Sequence, residues 1–309
     1  MFKYLKICII GDGFHSKRIQ KILKLLKLDF DVYKPKSKKN FKKEDHSFLK
    51  NFNIVFIISP NETHYYYINL LHKSSYIFCE KPPTNNLSDL KKLKKINSSK
   101  IYYNFNYRFS KIADLLKMSG KFNLGNLIYA NIISGKALAF KKNYKNNWRS
   151  NKKKCPTGVL EMLAIHWLDL IDHIFNIKIF NRRLLNNLSK IGNSFDNSNI
   201  SVKLNKNITA EIFCSYTSPT VDRKIFVFDN GLVEQNEKVV KIMGPSLNLD
   251  KNNLLKKPKL IKKFILNEEK DYNDSLLKSV KFFLDIARQN KNFSKIDNFK
   301  IMKINKSIL

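Results

Sequence analysis

The stretch that most constrains this chain is "CIIGDGFHSKRIQKI", Cys8 to Ile22. An apolar run meets two glycines one residue apart, and a helical pattern starts at once. Ile19, Ile22, Leu23, Leu25 and Leu26 recur at helical spacing. Gly11 permits a tight turn after the strand. Gly13 lets a backbone approach an anion such as a pyrophosphate, which the free N–H groups of the helix start would hold. Phe14 and His15 come next, and Ser16 stands at the third glycine position of the G-x-G-x-x-G pattern, where a small residue suffices.

The chain beyond this helix continues the same architecture. "FDVYK", "NIVFIIS", "SYIFCEK" and "KIYYNFNY" read as strands. "THYYYINLLHKS" and "LSDLKKLKKINS" read as helices, the second with Ser88 as its N-cap. The third strand is almost wholly apolar, as expected when helices cover both faces of a parallel sheet. Strands alternating with helices predict a doubly wound α/β domain over residues 1–117. The pattern then changes. "NLIYANIISGKALAF" reads as a long strand and "GVLEMLAIHWLDLIDHIF" as an apolar helix. Strand-like runs succeed one another from 198 to 243, with "DNG" at 229–231 as a hairpin turn. Residues 118–309 are expected to form an α+β domain with a large, mainly antiparallel open sheet. "NKKKC" and "DKNNLLKKPKLIKK" read as loops, and "LLKSVKFFLDIARQ" as a late amphipathic helix.

The chain has 309 residues, with 58 Lys and Arg against 25 Asp and Glu, a net charge of +33. Such a charge raises nucleic-acid binding. The lysines run from Lys3 to Lys306 rather than clustering on one arm, so the reading is a solvated Lys-rich surface with no specific nucleic acid. A positive field still favours anionic ligands. Cys8, Cys79, Cys155 and Cys214 form no CxxC pair and no zinc spacing. Cys8 and Cys79 lie in strand-like runs, which suits buried thiols in a reducing cytoplasm. The apolar start is too short for a signal peptide, and no run reaches the ~18 residues of a membrane helix.

Three further places carry candidate chemistry. The second strand ends in "YKPKSKK". Asp31 lies too early to serve the ribose hydroxyls, and Lys34, Lys36, Ser37 and Lys38 suit a 2′-phosphate, which favours NADP(H). "SPNETH" succeeds the third strand on the edge where cofactors sit; Ser59, Pro60, Asn61 and His64 are candidate contacts. "EKPP" ends the fourth strand. Charges beside an apolar strand cost free energy unless paired or used, so Glu80 and Lys81 sit at a solvent end or in a site. Lys81 is directed towards the nicotinamide end, where a positive ring would lower its pKa and let it exchange a proton with a substrate oxygen. Glu80 is read as anchoring the turn.

Five separated pieces in order now carry a resemblance: "GDGFHSKRI", "SPNETH", "CEKPP", "YRF" at 107–109, and "WR" at 148–149 followed by "TGVLEMLAIHWLDL". The chain resembles the glucose-fructose oxidoreductase / inositol dehydrogenase / rhizopine catabolism (Gfo/Idh/MocA) family of NAD(P)-dependent oxidoreductases over nearly its full length. The resemblance implies a Rossmann domain, a sugar-like substrate, Lys81 and His166 as catalytic residues, and Tyr107, Arg108, Trp148 and Arg149 in a cleft between domains. It also implies cofactor contacts from Glu80, Lys81, Trp148 and Arg149, no metal, and a homo-oligomer formed through the C-terminal sheet. His166 matches the histidine of the family's helix, which makes it the implied acid–base, and Asp169 at i+3 shares its face. The family carries an aspartate four residues before that histidine; here that position is Met162. Glu161 is adjacent but about 100° away on an α-helix. A dinucleotide-binding sensor or scaffold with the same fold is the alternative.

Overall fold

A computed structural model describes residues 5–35, 44–177, 179–204, 208–245 and 249–309. The chain forms two compact units. The first comprises Met1–Phe105 with Leu276–Ser307 and Leu309; the second comprises Asn106–Ser275 and Ile308.

The first unit holds a parallel sheet of β1 (Ile7–Ile10), β2 (Asp31–Tyr33), β3 (Ile54–Ile57), β4 (Tyr76–Glu80) and β5 (Ile101–Asn104). The strand order is β2-β1-β3-β4-β5, so it reverses between β1 and β3. Helices α1 (Phe14–Leu25), α2 (His64–Leu71) and α3 (Leu87–Leu93) connect the strands. β1 and β3 are buried at every residue, which is why they read as unbroken apolar runs rather than alternating ones. The cap of α3 is Asn86, not Ser88. The Asn86 side chain accepts the Asp89 N–H at 2.8 Å, and Ser88 is already inside the helix.

The boundary read at residue 117 differs from the structure at both ends. The chain enters the second unit at Asn106 and returns to the first at Leu276. The return consists of the late part of α6 (Glu268–Arg288) and α7 (Lys295–Ile308). The reason is apolar cover for the sheet. Phe283 packs on Phe56 and Phe78 with ring centroids 5.3 and 5.4 Å away and stacks on Phe293. Each such ring taken from water contributes about 2–3 kcal/mol. Asn305 bonds both the N–H and the carbonyl of Thr84, each at 3.0 Å.

The second unit is built on β6 (Leu127–Gly135), β7 (Ile179–Asn186), β8 (Asn197–Lys203), β9 (Thr209–Ser215), β10 (Val221–Phe228), β11 (Gly231–Asn236), β12 (Val239–Met243) and β13 (Leu260–Ile265). Their order is β13-β12-β11-β10-β6-β9-β8-β7, antiparallel except for β6 beside β9. The "DNG" turn joins β10 to β11, with Phe228 opposite Gly231. β13 replaces part of the loop read at 250–263, and β7 had no separate reading. Helix α4 (Lys111–Lys117) precedes the sheet. A wide π-turn at Leu160–Ala164 leads into α5 (Ile165–Phe175).

Among the described residues no helix is long and apolar enough to cross a membrane, and no group of His, Cys, Asp and Glu is arranged to hold a metal ion. All four cysteines are buried free thiols.

Candidate active site

The two glycines of the first turn serve different ends. Gly11 has φ +110°, and a Cβ there would come within 2.5 Å of the Ile58 carbonyl oxygen. Its N–H donates to Tyr33 O at 2.8 Å, so the end of β2 requires the turn to be this tight. Ser16 closes it from inside, donating its hydroxyl to Gly11 O at 2.7 Å. Gly13 is another matter. Its φ of −81° and ψ of 179° suit any residue, and an added Cβ would meet nothing within 4 Å. The protein's own packing does not need glycine there. The first turn of α1 also lacks a side-chain cap, leaving its N–H groups for an anion. These residues fit a pyrophosphate pressed against the backbone. Asp12 pairs with Lys17 and accepts from Gln20 Nε2 at 3.3 Å. The Lys17 and Gln20 hydrogen bonds hold its carboxyl below the usual range, with Lys34 adding to the effect. Phe14 is exposed, with the Arg18 guanidinium 4.6 Å from its ring centre.

At the end of β2, Asp31 opens the strand and Lys34 succeeds it, exposed. Lys36, Ser37 and Lys38 lie outside the described residues. Beyond β3, Ser59 and Thr63 bond through their hydroxyls at 2.6 Å, and Thr63 also donates to Pro60 O. Asn61 is buried beside them. His64 is fully buried. Its Nδ1 lies 2.8 Å from Pro82 O and its Nε2 3.0 Å from Ser59 O. Burial pushes its pKa down. The imidazole expected among the cofactor contacts is thus an internal tie between the turns after β3 and β4.

That tie fixes the backbone carrying Lys81, which is 8% exposed and joined to Pro82 by a cis peptide bond. Glu80 anchors more than its own turn. Its Oε1 lies 2.8 Å from His15 Nε2 and accepts from Asn104 Nδ2 at 2.6 Å. A carboxylate only accepts, so the proton lies on Nε2. Asn104 Oδ1 in turn accepts from Ser279 Oγ, which meets Tyr102 Oη, each at 2.7 Å. Burial pushes the Glu80 carboxyl up, but the charge and hydrogen bond of His15, the Asn104 amide and the Lys81 charge outweigh it, leaving the pKa below the usual value.

In the second unit, His166 stacks on Tyr107 with centroids 4.4 Å apart and planes 19° from parallel. Trp167 meets the same Tyr107 ring edge-on at 4.8 Å. Arg108 grips both oxygens of Asp169, Nε to Oδ2 at 2.7 Å and Nη2 to Oδ1 at 2.6 Å. Expected as substrate groups, these two satisfy each other in a buried fork, a geometry that suits guanidinium and carboxylate. Glu161 lies in the π-turn, where the α-helical step of 100° per residue does not hold. Its Oε1 accepts the Thr157 N–H at 3.1 Å. Arg149 lies over the Trp148 ring at 4.4 Å. Sequence reasoning missed one further group. Lys224 is 2% exposed, with Nζ 2.6 Å from Asp222 Oδ2 and 4.8 Å from the Trp167 ring centre. Gln235 also donates to Asp222 Oδ2, at 2.9 Å. The signal was present: Lys224 shares the inward face of β10 with Phe226 and Phe228, two residues apart.

Residues 8–101 match the Gfo/Idh/MocA family, described as an oxidoreductase family with an NAD-binding Rossmann fold. No curated protein matches the sequence. Among solved structures, levoglucosan dehydrogenase in complex with NADH and levoglucosan superposes with a TM-score of 0.77 at 15% identity, over 99% of this chain and 96% of that one. An Agrobacterium radiobacter oxidoreductase in complex with NAD+, L-tartaric acid and magnesium gives 0.76 at 16%, over 98% and 95%. A myo-inositol dehydrogenase from Corynebacterium glutamicum gives 0.70 at 17%, over 99% and 95%. At these identities the likeness is one of fold, and it extends over both units. The Gfo/Idh/MocA match itself spans the glycine turn and the "EKPP" turn. Met162, the departure from the family pattern, lies beyond it.

Proposed function

We propose that the protein is an NAD(P)-dependent oxidoreductase acting on a carbinol or ketone of a sugar, cyclitol or nucleotide-linked sugar. The observation that carries the reading is Gly13: a glycine the fold does not require, on a helix start without a side-chain cap, in a unit that also fixes a buried lysine at the end of β4. When bound, the dinucleotide supplies or accepts the hydride. The chain's own part is to hold the pyrophosphate on the α1 N-terminus and to manage the proton. In oxidation, the substrate O–H proton passes to the Lys81 amine as the C–H leaves as hydride; reduction reverses both transfers. In the second unit His166, stacked on Tyr107, is the other candidate base. The polyhydroxylated ligand in one structural relative, and the inositol named in another, support the substrate class.

NADP(H) is favoured over NAD(H), because β2 is followed by Lys34 and Pro35 rather than by a carboxylate. A homo-oligomer through the second unit's sheet is supported by its outer face. There Ile133, Phe213, Ile225, Val227, Leu232 and Met243 are half-exposed. A dinucleotide-binding sensor is the second reading, favoured by Met162 at the family's aspartate position.

Calorimetric titration of NADPH and NADH tests the proposal. Gly13→Val is expected to abolish binding of both while the melting temperature stays close to that of the wild type, since its Cβ enters open space. Unchanged affinity would overturn it. A screen of sugars, cyclitols and nucleotide sugars for reduction of the oxidised cofactor separates enzyme from sensor.

A further inference from the structure

We propose that the His15–Glu80 pair sets the preference of this protein between oxidised and reduced nicotinamide, and makes that preference depend on pH. The inference rests on the dinucleotide reading above. Strand order reverses between β1 and β3, and a dinucleotide crosses such a sheet at the reversal, one half towards β2 and the other towards β4. Glu80 ends β4 and is followed by Lys81. Its carboxylate is bonded to an imidazole from the first turn of α1, at 2.8 Å, and both side chains are largely enclosed. The pair therefore joins the anion-holding helix start to the strand end that serves the nicotinamide half.

Imidazole is the side chain that ordinarily titrates between pH 5 and 8. With His15 neutral the pair carries one negative charge; with His15 protonated it carries none. The oxidised nicotinamide ring is positive and the reduced ring is neutral. A net negative pair attracts the oxidised form, and the attraction fades when His15 takes a proton. Lys81, Cys79 and His64 interact with the Glu80 carboxylate through charge, and Asp12, Lys17 and Arg18 are the charged residues within three positions of His15. Lys17 holds the Asp12 carboxyl below its usual range, and burial pushes the Cys79 thiol up and the His64 imidazole down. Asn104, on β5, carries no charge and fixes the Glu80 carboxylate from the other side. Lys81 is the remaining group, and a variant controls for it.

The experiment measures Kd for NADP+ and for NADPH between pH 5.5 and 8.5 and takes their ratio. The ratio cancels titration of the 2′-phosphate and any general weakening of the protein, since both forms share them. In the wild type, Kd(oxidised)/Kd(reduced) is expected to rise roughly three- to tenfold as pH falls, the scale of one partly screened charge. His15→Gln keeps a donor to Glu80 but cannot titrate, and its ratio is expected to be flat. Glu80→Gln is expected to raise the ratio already at pH 8.5. Lys81→Met is expected to retain the pH dependence. A flat wild-type ratio, a ratio that falls with falling pH, or equal pH dependence in His15→Gln would overturn the proposal. If neither form binds, the dinucleotide reading itself fails; if both bind with a flat ratio, only this inference does.

Discussion

Lys81 is enclosed, sits at the end of a buried strand, and is joined to a proline whose carbonyl is bonded by His64. Its amine is therefore aimed by the fold. Lys81→Met keeps the apolar stem and deletes the proton carrier, so turnover is expected to fall by roughly 10²-fold with little change in cofactor Kd. Steady-state kinetics beside calorimetry checks both halves. His166→Ala is expected to lower turnover as well. Glu80 gives a prediction about stability. Its carboxyl titrates below the normal range in the folded protein. Its contribution is thus present above the unfolded carboxyl pKa of about 4.3 and is lost as pH falls through the folded value. Denaturant midpoints measured from pH 3 to 6 are expected to fall less steeply in Glu80→Gln than in the wild type. The sequence made Lys81 conspicuous, because a charge abutting an apolar run needs a reason. It could not pair Glu80 with His15, which lies 65 positions away. Nor could it show Arg108 and Asp169 neutralising each other: charges that serve a ligand and charges that serve the fold look alike until their partners are known.

Among elements, α6 covers the first sheet from the far end of the chain. Phe283 is fully buried against Phe56, Phe78 and Phe293. Phe283→Ala is expected to destabilise by about 3–5 kcal/mol, the range for an aromatic ring deleted from a core, read as a shift in the urea midpoint at constant slope. The helix was legible from its apolar stripe. Its destination was not, since a stripe records that a face is buried and not against which sheet. The strands of the first unit were legible for the opposite reason: all are short and bounded by turn residues, and all but β2 are mainly apolar. β13 was missed because Leu260, Ile261, Lys262 and Lys263 are all exposed, so no inward face imprints a period of two. The cap of α3 was misassigned because Asn86 and Ser88 are both good caps, and only the observed helix start chooses between them.

Across the whole molecule, the charge of +33 makes loose association with polyanions unavoidable at low salt. Gel-shift assays are expected to show sequence-blind binding that weakens steeply with added salt. A defined sequence retained at physiological salt would contradict the reading of the lysines as surface. Sedimentation is expected to find a dimer or larger assembly, lost when Ile225 and Val227 on the outer sheet face become Lys. The division of the first unit between the two ends of the chain bears on how the protein is made. On the ribosome, the five parallel strands emerge early with α1 to α3, but α6 and α7, which complete their cover, come roughly 170 residues later. At ordinary elongation rates, Phe56 and Phe78 wait on the order of ten seconds or more for Phe283. In that interval the later-synthesised second unit can finish first, while the nascent sheet keeps its aromatic face open to chaperones.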